Sequence, residues 1–278
     1  MGRTVWFPGH MAKGKRQIEA LAKNLDLVIE VRDARAPSLT SSPLISLFEG
    51  RIKIAVVLSK ADLADEKNSN LWVSALRKKG FHAWALDLRK GGLNHLKKAL
   101  TAFKPKQRDL RVAIVGVPNV GKSMLINQLA GRKSVPVGGI PGVTKGVSWV
   151  RGDGFLLVDS PGILDPHGDA RAQRVISWLG ASRSEVIGSQ YEHAKQCIEF
   201  LIAHNLWKCV EDSWGISAEG TSDEIIEKTG RRLGKLIAGG NVDTEAAGKA
   251  FINNLSTGKF GRMSFEKPGD APIWETLK

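Results

Sequence analysis

Residues 116–123 read Gly-Val-Pro-Asn-Val-Gly-Lys-Ser and have the paired glycines, lysine and hydroxyl residue of a phosphate-binding loop. Glycines let backbone N–H groups turn toward phosphate oxygens, Lys122 would pair with the β and γ oxygens, and the Ser123 hydroxyl would bind Mg²⁺. An apolar run enters the loop and residues 124–129 leave it as a helix, which is the context the motif requires. The spacing therefore predicts a nucleoside triphosphate site. Its expected nucleotide contacts are Asn119, Val120, Gly121, Lys122, Ser123 and Met124.

Two elements downstream would complete a phosphoryl-transfer site. Thr144, after Pro141-Gly142-Val143, has the position of the switch threonine that binds Mg²⁺ and responds to the γ-phosphate. Asp159 ends an apolar run and would hold Mg²⁺ through water, while the amide of Gly162 would contact the γ-phosphate. The order and spacing of these residues after the phosphate loop make each assignment support the others.

A second motif, Ser59-Lys60-Ala61-Asp62, resembles the guanine-reading Asn-Lys-x-Asp. Asp62 can accept both N–H donors of guanine, and the stem of Lys60 can lie over the ring. Serine replaces the usual leading asparagine, which leaves adenine as the alternative base. GTP is favoured because adenine lacks the paired donors that such a carboxylate accepts. Asp87 and Leu88 are then expected to flank the base.

The order of the two motifs predicts the topology. In ordinary GTPases the base-reading motif follows the phosphate loop, whereas here it precedes that loop. We therefore expect a circularly permuted GTPase that begins partway through its own sheet.

The catalytic group is the open question, because Ile163 stands where a glutamine usually orients the attacking water. His10, in the opening Trp-Phe-Pro-Gly-His-Met, could orient or deprotonate water. Asn119 is the second candidate, because asparagine at this point of the loop resembles that of potassium-dependent GTPases, in which K⁺ neutralises developing charge. The two roles can coexist.

The pattern of apolar runs predicts an α/β fold with a mostly parallel, doubly wound sheet. The expected strands are short runs bounded by turn or charged residues, at 25–31, 52–58, 83–86, 111–115 and 155–158. Helical patterns occupy 11–25 and 93–103 between them. Further helices are expected at 191–204, 222–236 and 244–257, so that a P-loop GTPase domain (1–180) precedes a smaller all-α domain (185–278).

The charge distribution favours a polyanionic partner. The 278 residues carry a net charge of +13, and residues 1–176 alone hold 29 Lys and Arg against 14 Asp and Glu. Nucleic acid is the favoured partner because Lys and Arg on phosphates release counterions, with an anionic membrane as the weaker alternative. Two cysteines are too few for a disulfide framework, and the chain has neither a spanning apolar run nor a signal-peptide pattern, so a cytoplasmic protein is expected.

These features resemble the YlqF/RbgA ribosome-biogenesis GTPases. The resemblance rests on the permuted order, the opening WFPGHM, the segments 33–37 (DARAP) and 159–164 (DSPGIL), and the C-terminal GKFGR, and it covers nearly the whole chain. It implies a Mg²⁺-dependent GTPase, stimulated by the large ribosomal subunit, that acts in late assembly of that subunit and is released on hydrolysis. It also implies that the helical domain docks on rRNA, where Lys228, Arg231, Arg232 and Lys235 could form one basic face.

Two alternatives come from other classes of function. The chain could be a nucleotide-gated RNA-binding module with negligible hydrolysis, which signals through Thr144 and Gly162. Its basic half could instead serve a membrane or DNA. We expect a monomer that binds GTP or GDP and ribosomal RNA, without membrane association.

Overall fold

The computed structural model describes residues 19–91, 93–131, 149–160, 162, 169–182 and 188–277, together with the backbone of 135–137. These residues form two compact units. The sheet unit holds the described residues up to 162 and the late segment Ser264–Asp270, whereas the helical unit holds Asp169–Met263 and residues 271–277.

A seven-stranded sheet with the order β3-β2-β1-β4-β7-β6-β5 forms the centre of the sheet unit. Its strands are β1 (Leu27–Asp33), β2 (Lys53–Ser59), β3 (His82–Ala85), β4 (Leu110–Val115), β5 (Val135–Val137), β6 (Trp149–Gly152) and β7 (Phe155–Asp159). Strands β1 to β4 and β7 are parallel, and β5 and β6 are antiparallel additions. Every residue of β1 is buried, as a central parallel strand covered on both faces requires.

The chain order of the strands creates a crevice. The chain moves outward from β1 to β3 and then returns to the other side of β1 as β4. Loops that leave the carboxyl ends of β1 and β4 therefore run in opposite directions, which is where ligands bind in open α/β sheets. The mostly parallel, doubly wound sheet predicted from the sequence is confirmed.

Helices and irregular segments cover both faces of this sheet. The helices are α1 (Glu66–Lys78), α2 (Asn94–Leu100) and α3 (Lys122–Ala130), with 3₁₀ turns at Ala22–Asn24, Ile45–Leu47 and Thr101–Phe103. Helix α1 begins where the Asp65 carboxylate accepts a hydrogen bond from the Asn68 amide. It packs Trp72 and Leu76 into one core cluster, while Phe48 belongs to a second.

The helical unit consists of α4 (Ala170–Trp178), α5 (Gln190–Ala203), α6 (Lys208–Trp214), α7 (Ser222–Arg232), α8 (Thr244–Ser256) and a 3₁₀ turn at Ile273–Thr276. Aromatic rings fill its interior, with Trp178 against Phe200 and Trp207 against Phe251. Among the described residues, no helix is long and apolar enough to span a bilayer.

Helix α7 ends at Arg232, although the periodic pattern predicted a helix to residue 236. Gly234 takes the left-handed backbone conformation (φ +62°), and Leu236 instead forms an antiparallel bridge to Val242. Gly234 therefore ends the helix, although the apolar pattern continues to residue 236.

The late segment Ser264–Asp270 is held against the sheet unit through Phe265 and Glu266. The Phe265 amide donates to the Arg35 carbonyl (2.7 Å), and the Glu266 carbonyl accepts from the Asn68 side chain (2.6 Å). The carboxylate of Glu266 accepts from the backbone amides of Ser38 (2.7 Å) and Leu39 (3.0 Å). No motif in the sequence indicated this return of the chain to the sheet unit.

Candidate nucleotide-binding site

The described segments that carry predicted site residues meet at one edge of the sheet. The base-reading segment follows β2, Asp87 and Leu88 follow β3, the phosphate loop follows β4, and Gly162 follows β7. Because these four strands are parallel, their carboxyl ends meet at the same edge. The permuted chain thus brings its motifs together in the sheet although their order along the sequence is inverted.

Two positions of the phosphate loop favour glycine, Gly116 for lack of space and Gly121 for its backbone conformation. A Cβ at Gly116 would lie 2.5 Å from the carbonyl oxygen of Val31, so the loop leaves β4 in contact with β1. Gly121 adopts φ +99° at the start of α3, and a Cβ there would lie 3.3 Å from Leu88. Asn119 also has a positive φ (+56°), which its short polar side chain tolerates. The backbone therefore curls tightly around the helix start, as phosphate binding requires.

Lys122 lies inside this loop and is only 8% exposed. Its ammonium donates a hydrogen bond to the carbonyl of Val117 (2.9 Å). Burial lowers the pKa of Lys122, and the nearby Asp159 carboxylate acts in the opposite direction. A buried ammonium beside backbone amides offers a phosphate strong charge-assisted hydrogen bonds.

Ser123 and Asp159 form the described part of the predicted Mg²⁺ site. The Ser123 hydroxyl donates to a carboxylate oxygen of Asp159 (3.2 Å). Surrounding protein removes water from one side of this carboxyl and raises the pKa of Asp159, an effect that Lys122 and the Ser123 bond oppose. A hydroxyl and one carboxylate are hard oxygen donors, the set with which Mg²⁺ binds beside substrate phosphates. The residues present therefore fit the ion.

Gly162 lies directly against the phosphate loop. A Cβ at this position would come within 2.8 Å of the Cα of Pro118 and 3.0 Å of the ammonium of Lys122. Only glycine allows this approach, and it brings the segment after β7 beside the place where a γ-phosphate would lie.

Ser59 connects the base-reading segment to the phosphate loop. The side chain is buried, and its hydroxyl lies 2.6 Å from the carbonyl oxygen of Val120 and 2.9 Å from that of Arg32. One hydroxyl proton can serve only one acceptor at a time. The contact with Val120 is the shorter of the two, so this serine links the two motifs, although it replaces the asparagine of the usual pattern.

Lys60, within the base-reading segment, forms an ion pair with a buried carboxylate at the end of β1. Its ammonium lies 2.9 Å from the Asp33 carboxylate, which also pairs with Arg35 (2.8 Å). Burial alone would raise the pKa of Asp33, but Arg35 and Lys60 override this effect and hold that pKa well below its usual range. The sequence did not reveal this role of Asp33 and Arg35, although both lie in the motif at 33–37 that supported the family resemblance.

Asp62 and Asp87 lie on neighbouring loops and share contacts with Arg89. The guanidinium of Arg89 forms a hydrogen-bonded ion pair with Asp62, and the backbone amide of Arg89 donates to Asp87 (2.9 Å). The amide of Ala61 donates to the carbonyl of Leu86 (3.3 Å), which ties the two loops together. The side chain of Gln128 in α3 donates to the carbonyl of Leu88. Arg89 was not among the predicted site residues.

The remaining residues of the predicted site are three that fall outside the described residues and one that is exposed. His10, Thr144 and Ile163 lie outside the described residues. Met124 is 43% exposed in the first turn of α3. Within the described part of the chain, no group of three or more His, Cys, Asp or Glu side chains could form a metal site of its own.

The chain matches the models of two GTPase families and resembles individual ribosome biogenesis GTPases. Residues 111–227 match the model of the 50S ribosome-binding GTPase family, and residues 10–167 match the RsgA GTPase family. Ribosome biogenesis GTPase A of Thermotoga maritima is 36% identical over 95% of both chains. The Bacillus licheniformis protein of the same name is 34% identical over 95% of this chain and 98% of its own length.

Two solved structures show the same fold. The GNP-bound YlqF from T. maritima superposes with a TM-score of 0.67 at 32% identity, covering 93% of this chain and 100% of that chain. The GDP-bound YlqF gives a TM-score of 0.67 at 31% identity, covering 92% and 100%. Because these relatives match along nearly their whole length and share the fold, the chain belongs to the ribosome biogenesis GTPase A (YlqF/RbgA) family.

Proposed function

We propose that the protein binds GTP at the carboxyl edge of its sheet and hydrolyses it to GDP and phosphate during late assembly of the large ribosomal subunit. The observation that carries this proposal is the hydrogen bond from Ser59 to Val120, because it fixes the base-reading segment against the phosphate loop. The names of its relatives, which are ribosome biogenesis GTPases, support the biological setting.

Each described residue has a role that its geometry supports. Lys122 would release the Val117 carbonyl and pair with the β and γ oxygens. Ser123 and Asp159 would hold Mg²⁺, with Asp159 acting through water; the ion neutralises charge that develops on the phosphates. The amides of residues 119–124 would bind phosphate oxygens, and Gly162 would contact the γ-phosphate. Asp62 would accept the N–H donors of guanine beside Lys60, Asp87 and Leu88.

Hydrolysis needs a group that orients water and groups that neutralise developing charge. One residue of this sequence would serve each need. His10 would position or deprotonate the water, while Asn119 would hold a K⁺ ion that neutralises charge. Thr144 would bind Mg²⁺ and respond to the γ-phosphate.

The partner would be the large ribosomal subunit, through its rRNA. The excess of basic residues in 1–176 supports an electrostatic contact with RNA. In the helical domain (185–278), Arg231 pairs with Glu227 (2.8 Å) and Arg232 lies over the Trp214 ring (5.9 Å), so part of the expected basic face already has partners within the chain. We propose that this domain also docks on the rRNA, and that the protein acts in the cytoplasm as a monomer.

Sedimentation with purified large subunits tests the proposal. The protein would be mixed with subunits, with GDP or a non-hydrolysable GTP analogue, at several salt concentrations. We expect tighter binding with the analogue and a steep loss of binding as salt rises, because γ-phosphate contacts order the switch and RNA contacts release counterions. Liposomes and duplex DNA serve as the competing partners. Binding to either in preference to subunits would contradict the ribosomal assignment.

Single-turnover GTP hydrolysis with and without subunits separates the enzyme from a nucleotide-gated binding module. We expect subunits to stimulate hydrolysis and GDP formation to release the protein. GTP-dependent subunit binding with no hydrolysis under either condition would favour the module.

A further inference from the structure

The guanidinium of Arg89 pairs with the carboxylate of Asp62, which is expected to read guanine. The contact is with the carboxylate oxygen Oδ2 of Asp62, which is largely covered by protein, with 13% of its side chain exposed. The Arg89 side chain is 61% exposed, so the guanidinium approaches the carboxylate from the solvent side. A nucleotide base would enter from that same side.

The loop after β3 holds Arg89 in this position. Its backbone amide donates to Oδ1 of Asp87 (2.9 Å), and its Nε lies 3.8 Å from the same oxygen. Arg89 thus contacts the carboxylates of both Asp62 and Asp87. A cation in contact with both relieves their like-charge repulsion.

The donor pattern of Arg89 matches that of the base. A guanidinium presents adjacent N–H groups in one plane to a carboxylate, and guanine presents N1–H and N2–H in the same manner. The N–H of Arg89 takes one of about four acceptor positions of this carboxylate. Guanine therefore meets a carboxylate with reduced acceptor capacity until Arg89 moves away.

We propose that Arg89 is an internal competitor for the guanine-reading carboxylate, which lowers affinity for guanine nucleotides and stabilises the nucleotide-free site. This inference rests on the proposed function, since it requires that Asp62 reads guanine. Exposed ion pairs are weak, so the competition changes nucleotide affinity by about two- to fivefold. The exposed side chain returns to Asp62 when nucleotide leaves, which favours rapid exchange.

GDP titration of the full-length chain tests this inference. The variants are Arg89→Gln and, as a matched control, Lys90→Gln. Lys90 carries the same charge on the same loop and is 82% exposed, with its ammonium 3.9 Å from Asp87. At low salt, Arg89→Gln is expected to bind GDP about two- to fivefold more tightly than wild type. The difference in GDP affinity between Arg89→Gln and wild type should shrink at high salt, because salt screens the ion pair of Arg89 with Asp62. Lys90→Gln should bind GDP with an affinity close to that of wild type.

The outcomes separate this inference from the proposed function. Wild-type protein that fails to bind GDP refutes the proposed function itself. Wild-type binding with an Arg89→Gln affinity that is unchanged or weaker overturns only the competitor role. Equal tightening in both variants would also overturn it, because a general loss of positive charge would then explain the effect. Circular dichroism melting of each variant verifies that the fold is intact.

Discussion

The hydroxyl of Ser59 lies 2.6 Å from the carbonyl oxygen of Val120, so one hydrogen bond joins the end of β2 to the phosphate loop after β4. These segments are far apart along the chain but close in the sheet, where only β1 lies between their strands. The bond couples the position of Asp62 to the position of the phosphates. The first prediction concerns this bond.

Ser59→Ala should weaken GTP binding about two- to tenfold, because the loss of a buried hydrogen bond leaves the Val120 carbonyl without this donor. The preference for GTP over ATP should persist, since Asp62 remains. Isothermal titration with both nucleotides measures the two effects. Ser46→Ala, at an exposed hydroxyl that bonds the Pro43 carbonyl, is the control. Wild-type affinity in Ser59→Ala would show that the bond does not support the site.

Lys122→Ala should abolish tight, magnesium-dependent GTP binding and turnover. The variant loses the buried ammonium that lies within the phosphate loop. Fluorescent GTP titrations with and without Mg²⁺ provide the measurement. Lys98→Ala removes an exposed lysine elsewhere in the sheet unit and should leave binding unchanged. Retention of tight Mg²⁺-dependent binding by Lys122→Ala would contradict the phosphate-loop assignment.

His10→Ala should lower subunit-stimulated kcat by roughly 10²-fold while GTP affinity changes little, because the lost interaction belongs to the transition state. His95→Ala, at an exposed histidine in α2, controls for loss of an imidazole. Steady-state assays with subunits measure kcat, and GTP titration measures affinity. Full stimulated turnover in His10→Ala would rule out the catalytic role of this histidine.

Potassium dependence tests the other source of catalysis. Replacement of K⁺ by Na⁺ should slow wild-type hydrolysis if Asn119 holds a catalytic ion, and Asn119→Ala should remove the difference between the two salts. Hydrolysis rates at equal ionic strength provide the comparison. Equal wild-type rates in K⁺ and Na⁺ would eliminate the ion.

Glu266 should make stability depend on pH. Burial raises its pKa from 4.5 to about 7, against the opposing effects of the Ser38 and Leu39 amides and of Arg32. The folded protein therefore holds this proton more tightly than the unfolded chain. The resulting stabilisation is fully present below pH 4.5 and is lost as pH rises through about 7.

Urea unfolding of wild type and Glu266→Gln across this range tests the effect. Glutamine cannot ionise. The free energy of unfolding of the variant should therefore lack the pH-dependent change on the order of 2 to 3 kcal/mol that is expected for wild type. Glu49→Gln, at an exposed glutamate of the sheet unit, should retain the wild-type pH profile. Parallel pH profiles for wild type and Glu266→Gln would show that the carboxyl does not titrate in this range.

Much of the sheet could be predicted from the sequence, because its central strands are buried on both faces and read as continuous apolar runs. The run at 52–58 corresponds to Lys53–Ser59, and the run at 155–158 to Phe155–Asp159. The short strands Val135–Val137 and Trp149–Gly152 at one end of the sheet were missed, since three or four residues leave little periodic signal. The helices Glu66–Lys78, Ala170–Trp178 and Lys208–Trp214 were also missed.

The sequence by itself determined the motifs, their inverted order and hence the edge of the sheet at which they meet, because parallel strands all end on the same side. Only the tertiary structure decided which side chains bond across that edge. The pairing of Lys60 with Asp33, the contact of Arg89 with Asp62 and the burial of Glu266 depend on distances between segments remote in sequence. No periodicity or local spacing encodes such distances, which are set by how the loops pack after the sheet has formed.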